Sequence, residues 1–297
     1  MRSFIFLFCL MSTSVFAAEP WGYTYDKSWV RYLYPQDEKK WWWDDAWWEE
    51  GQIPVPQNHK VVMERMSYKS GDTEVPAYLF RPKDGKQYPG VLFQHGRRGL
   101  DELTLLHPRR LAARGFVVLA PDLWFANFID KFPIEHDYKV EKDAARGIEF
   151  LLTLPQVKGK KICTVSHTRG GYITLKALVT YKKQDKEVAC WVSYYPHLQD
   201  PNAAEPMQIY KYAPEAEDLK VPALIFMGEH DQYQRQRPII FVYESLKEKK
   251  RDIRLIVYPG VGRGFDFRPP NVRTFADDLA SKDAMQRTAQ FLRKHLK

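Results

Sequence analysis

The chain has 297 residues, 44% of them hydrophobic and 28% charged, which is enough apolar material for one large packed domain and leaves no low-complexity tract to suggest disorder. Its formal charge is +8, yet the basic residues form no arginine or lysine array, so nucleic acid is not an expected partner. No segment beyond the first residues approaches about 18 consecutive apolar residues, so stable membrane insertion is not expected either. The sequence carries no glycine-rich phosphate loop and no metal-ligand cluster of the usual spacing, and no cofactor or metal is expected from it.

In chain order, Met1-Arg2, an apolar stretch from Phe4 to Met11 and small residues from Ser12 to Ala18 have the form of a secretory signal cleaved after Ala17. The mature protein is then expected to be periplasmic or secreted; an uncleaved anchor is the alternative. Cys9 lies inside the apolar stretch and not at a lipobox, so no lipoprotein is expected. Losing Arg2 with the signal lowers the formal charge to +7. Residues 18–56 form a separate extension in which five of the nine tryptophans fall between Trp41 and Trp48. Exposed indoles there would suit an envelope polymer or a membrane interface; the plainer expectation is that they cover a sheet edge or a dimer contact.

Residues 57–297 alternate short β-branched runs with helical patterns, the mark of a mostly parallel, twisted sheet of about eight strands with helices on both faces. Strands are expected at Val61 to Tyr68, Val75 to Phe80, Gly90 to Gln94, Phe116 to Ala120, Lys161 to Val165, Val188 to Ser193, Ala223 to Met227 and Ile253 to Tyr258, the first two as a hairpin around Gly71-Asp72. Helices are expected at Leu103 to Arg114, Val140 to Leu154, Gly170 to Tyr181, Pro238 to Lys249 and Asp278 to Lys297. In the last, Ala284, Thr288, Phe291 and Leu292 should face the sheet, and Lys282, Arg287, Lys294 and Lys297 water. Cys163 and Cys190 fall on strands; two buried thiols are expected in preference to a disulfide, because cross-strand geometry is demanding.

Three segments carry the chemistry. Lys161 to Gly171 reads as strand, small-residue turn and helix, the setting of a nucleophile elbow, with Ser166, Thr168 and Gly170 at the first-glycine, nucleophile and last-glycine places of G-x-S-x-G. Val221 to Asp231 is a buried strand ending in Gly-x-x-Asp, which places Asp231 at a strand's carboxyl end. Gly262-Arg263-Gly264-Phe265 follows the last strand. With Gln94-His95-Gly96-Arg97 after an earlier strand, these segments make Val61 to Lys297 similar to the dienelactone hydrolase family of the α/β-hydrolase fold. The resemblance implies hydrolysis of carboxylic esters or lactones, with Asp231 as triad acid, Thr168 at the nucleophile, Arg263 at the base, and main-chain N–H groups near Arg97 and at Arg169, beside His95 and Gly96, as the oxyanion hole.

Two positions depart from that family, whose nucleophile is cysteine or serine and whose base is histidine. Arginine is permanently cationic and donor-only, so it cannot take a proton from a hydroxyl near neutral pH. Thr168 is β-branched and Ser166 carries a Cβ, and both changes suit a relaxed turn. His95, His167 and His230 lie near the site in sequence but are expected to be satisfied loop residues. Arg97, Arg98, Arg169 and Arg263 suggest a pocket for an anion; alternatively Arg263 pairs with Asp231 and the others are solvated. Three functions stay open: a hydrolase with a degenerate triad and weak, altered or lost activity; a non-catalytic binder of an anionic envelope ligand; or a Trp-rich adhesion or assembly protein.

Overall fold

The structure is a computed structural model that describes residues 58–269 and 272–297. The expected signal and the Trp-rich extension lie outside the described residues. Eight strands form one sheet: β1 (Val61–Ser70), β2 (Thr73–Pro82), β3 (Tyr88–Gln94), β4 (Val117–Pro121), β5 (Val157–His167), β6 (Val188–Tyr194), β7 (Ala223–His230) and β8 (Ile253–Gly262). Their order is β1-β2-β4-β3-β5-β6-β7-β8. β1 and β2 pair antiparallel as the expected hairpin, β2 runs antiparallel to β4, and the remaining pairs are parallel.

Strict alternation along the strands feeds two cores. On β4, Val117 and Leu119 enter one and Val118 and Ala120 the other; on β7, Ala223, Ile225 and Met227 oppose Leu224 and Phe226. Inner strands buried on both faces, such as β4 and β7, read as continuous apolar runs, whereas the hairpin strands β1 and β2 read by alternation around their turn. Helices α1 (Glu102–Ala113), α2 (Leu123–Ala126), α3 (Lys139–Thr153), α4 (Arg169–Val179), α5 (Lys183–Lys186), α6 (Glu205–Tyr210), α7 (Tyr233–Glu248) and α8 (Phe275–His295) complete the layers. α3, α4 and α7 contribute to the first core, α1 and α8 to the second.

Differences from expectation have local causes. α8 starts at Phe275 because Thr274 and Asp277 form a reciprocal capping box that satisfies N–H groups at its start. α7 starts five residues before Pro238; the Gln234 carbonyl that the proline leaves unserved accepts from Gln199 Nε2 at 3.3 Å. Ala284, Thr288, Phe291 and Leu292 are buried as expected, but so is Arg287, whose Nε donates to Asp283 Oδ2 at 2.6 Å. Asp283 also accepts from the buried Tyr258 hydroxyl at 2.6 Å, which pins the helix to the sheet.

Cys163 and Cys190 are a disulfide, not the two thiols expected. β5 and β6 place them directly opposite each other with Cα atoms 4.8 Å apart, a pairing that only strand register could decide. The bridge closes a 27-residue separation. Loop-closure entropy then gives it roughly 3 kcal/mol. The double variant C163A/C190A should therefore unfold at lower urea concentration, with an unfolding free energy smaller by about 3 kcal/mol, in the oxidised protein.

Candidate active site

The order of strands reverses between β3 and β5, because the chain builds outward in one direction through β4 and in the other through β6. Such a switch point opens a crevice at the strands' carboxyl ends. Gln94 to Arg97 leave β3 there, and β5 leads directly into Thr168 and then Arg169, the first residue of α4.

Thr168 has φ 50° and ψ −121°, so the turn is strained and not the relaxed one its β-branched side chain had suggested. Packing enforces it. A Cβ on Gly170 would lie 2.5 Å from the His95 carbonyl oxygen, and one on Gly171 2.4 Å from Pro196 Cβ, so only glycines let α4 start this close to the end of β3 and to the loop after β6. The Thr168 carbonyl accepts from the His197 N–H at 2.8 Å and its N–H donates to the Tyr194 carbonyl at 3.1 Å. Gly96 makes room for the threonine side chain, since a Cβ there would fall 1.8 Å from Thr168 Oγ1. Ser166, at the first-glycine place, is accommodated by polar partners: its Oγ accepts from Trp191 Nε1 at 2.8 Å and shares a 2.7 Å bond with Ser193 Oγ.

Asp231 and Arg263 meet. Arg263 Nη1 donates to both Asp231 oxygens, at 3.1 and 2.9 Å, and Nη2 donates to the Tyr195 carbonyl. The Asp231 side chain is fully buried, and its Oδ1 also accepts from the Gln232 N–H at 2.6 Å. Thr168 and Arg263 line one cavity of about 360 Å³, together with Gly96, Arg98, His167, Tyr195, Phe267 and Arg268. Thr168 Oγ1 has no hydrogen-bond partner.

The other expected residues are placed as follows. His95 supports its loop: the Leu123 N–H donates to Nε2 at 3.2 Å, so Nδ1 carries the proton and donates to the Gly96 carbonyl at 2.9 Å. Burial lowers its pKa. His230 is exposed. Arg97 and Arg169 are neither solvated nor aimed into the cavity. Arg97 donates to the carbonyls of Pro133 and Phe132, and Arg169 to those of Glu135 and Ile134, so both clasp the loop after α2. Arg98 pairs with Asp101, the N-cap of α1.

His107, Tyr195, Asp266 and His197 escaped the sequence reading, and His167 has a partner that it did not foresee. His167 is not an isolated loop residue: its Nε2 lies 2.9 Å from Asp266 Oδ2, and His107 on α1 approaches the same oxygen at 3.6 Å. The Tyr195 hydroxyl donates to Asp266 Oδ1. Burial pushes His107 down to about 3, the Asp266 charge opposing it in part. Burial alone would raise the Asp266 pKa, but the two imidazoles and the Tyr195 hydroxyl outweigh it and hold it at about 2. Nothing in sequence spacing links positions 107, 167 and 266, although Asp266 stands three residues past Arg263.

His197 lies apart from that cluster, its N–H donating to the Thr168 carbonyl. Burial first, then the positive charges of Arg263, Arg235, Arg169 and Arg97, hold its pKa well below the ordinary 6.5. Below about pH 6.5 the unfolded chain therefore binds a proton that the folded protein refuses, so stability present at neutral pH is lost on acidification. Urea unfolding at pH 7 and pH 5 should show the wild type losing more free energy than His197→Gln, by up to about 2 kcal/mol.

Comparison with known proteins agrees with this layout. The chain is 25% identical over 219 residues to a protein described as a candidate carboxymethylenebutenolidase of Methylorubrum extorquens, covering 67% of this chain and 71% of that one. It is 24% identical over 252 residues to the protein usf of Aquifex pyrophilus, covering 78% and 99%. Among solved structures, a candidate dienelactone hydrolase from Klebsiella pneumoniae superposes with TM-score 0.64 at 21% identity, over 80% of this chain and all of that one. A dienelactone hydrolase-like promiscuous phosphotriesterase from metagenomic libraries gives 0.61 at 17%, over 80% and 99%; at these identities the likeness is one of fold. The family model for dienelactone hydrolases matches residues 75–296, spanning the whole sheet beyond β1 and all eight helices, and the chain belongs to the dienelactone hydrolase family.

Proposed function

We propose that the protein is an exported member of the carboxylic-ester and lactone hydrolase class whose triad positions, Thr168, Asp231 and Arg263, are degenerate, so that ester hydrolysis is weak or lost. The observation that carries this reading is Arg263, which stands at the base position and spends its guanidinium on Asp231 and the Tyr195 carbonyl. A triad histidine would take the proton of the nucleophile and be oriented by that acid. Here the acid is neutralised by a group that cannot accept a proton, and Thr168 Oγ1 has no hydrogen-bonded base. What stays available is the elbow, with the main-chain N–H groups of an α-helix start beside it, which binds and polarises a carbonyl without attacking it.

A second reading is favoured by the lining of the cavity. Arg98, Arg263 and Arg268 border it and no aspartate or glutamate does, among the described residues. Phe132 and Phe267 add apolar walls. A ligand with an aromatic or apolar body and a carboxylate or phosphate fits that combination, as an ester substrate or as a bound anion.

Short-chain aryl ester hydrolysis separates the readings. Wild type and Thr168→Ala should differ by less than about twofold, and the double variant T168S/R263H should exceed both by at least about tenfold, given what a missing triad member removes. Wild-type turnover that vanishes in Thr168→Ala would sink the degenerate-triad reading. For anion binding, calorimetry with phenylacetate and phenyl phosphate should show affinity falling at least about fivefold in Arg268→Ala, or about 1 kcal/mol. Identical heats for both proteins would dispose of the second reading.

A further inference from the structure

We infer that His107, His167 and Asp266 form a binding site for a divalent first-row transition-metal ion in the wall of the cavity. The three residues come from α1, the end of β5 and the 3₁₀ turn Phe265–Phe267, and one ligand atom from each lies within 4.8 Å of the others. Asp266 Oδ2 is the shared vertex, 2.9 Å from His167 Nε2 and 3.6 Å from His107 Nε2. Donors to one tetrahedral ion at about 2.0 to 2.1 Å stand roughly 3.3 Å apart, so these two spacings bracket what an ion needs.

A second observation points to a ligand. His107 is 2% exposed, yet neither of its ring nitrogens has a hydrogen-bond partner, and Nδ1 of His167 has none either. A buried imidazole would ordinarily satisfy at least one nitrogen, so a purely hydrogen-bonded cluster leaves His107 unexplained. An ion on its Nε2 supplies the missing partner. Two neutral imidazoles and one carboxylate are a donor set for zinc or ferrous iron, too poor in oxygen for magnesium or calcium.

The surroundings hold the donors in place. The Tyr195 hydroxyl occupies Asp266 Oδ1 and leaves Oδ2 for the ion. Tyr194 stacks on the His167 ring at 4.4 Å between centroids, and Phe267 packs edge-on against His107 at 4.7 Å. Binding requires His167 to carry its proton on Nδ1, a tautomer shift with no net proton release. His167 and Tyr195 border the cavity, and His107 and Asp266 are buried beside them. The site does not depend on Thr168 turning over esters.

The test uses untagged full-length protein stripped with a chelator and titrated with zinc by calorimetry and by competition with a chromophoric chelator. One zinc per chain is expected, with affinity lowered at least about tenfold in both His107→Gln and Asp266→Asn. Both variants are first checked for folding by circular dichroism. Should either fail to fold, crystals of the zinc-soaked wild type decide, by an anomalous peak between the three side chains. No stoichiometric zinc in the wild type, unchanged affinity in the folded variants, or an anomalous peak only elsewhere would each overturn the proposal.

Discussion

The candidate site depends on the backbone at Thr168, which is held at positive φ. A β-branched residue at φ 50° is disfavoured by roughly 1 to 3 kcal/mol, and it persists because the start of α4 is pressed against the end of β3 at Gly170 and against Pro196 after β6 at Gly171, with no space for a side chain at either. The same contact aims Thr168 Oγ1 at Gly96 and hands its carbonyl to the His197 N–H. The cavity, the loop from β6 and the crevice at the switch point are all organised by that one turn. It is therefore retained although the residue occupying it is a poor choice for the geometry.

Around the turn, charge is arranged unlike that of a proton-transfer triad. The buried Asp231 carboxylate is matched by Arg263, a permanent cation, which makes the pair an electrostatic brace. Removing either member would leave an uncompensated buried charge. Arg97 and Arg169, which looked like free cations in the sequence, brace the loop after α2 by donating to its carbonyls. The imidazoles near the turn gather elsewhere: His167 faces Asp266 and His107, flanked by the rings of Tyr194 and Phe267. His167 is next to Thr168 in the chain, but its ring engages a carboxylate 99 residues away, a partner that sequence position does not reveal.

The inner strands and the five long helices could be read from the sequence because burial on two faces writes continuous apolar runs and amphipathic helices write their own period, and the hairpin because its strands alternate around a glycine turn. The order Thr168, Asp231, Arg263 was equally legible, since each follows a recognisable strand end. Pairings across the sheet were not. Whether Cys163 meets Cys190 depends on register between β5 and β6, and whether Arg287 faces water depends on Asp283 one turn before it being turned inward by Tyr258.

The amino-acid sequence thus determined the fold class, the strand ends that carry the site and the chemical character of each side chain there, including that residue 263 cannot act as a base. Only tertiary structure decided which groups touch: the strained turn, the Arg263–Asp231 brace, the disulfide, and the convergence of residues 107, 167 and 266. The physical reason is that periodicity and residue type are local properties of the chain. Register, close backbone approach and long-range side-chain pairing emerge only when separate elements pack against one another.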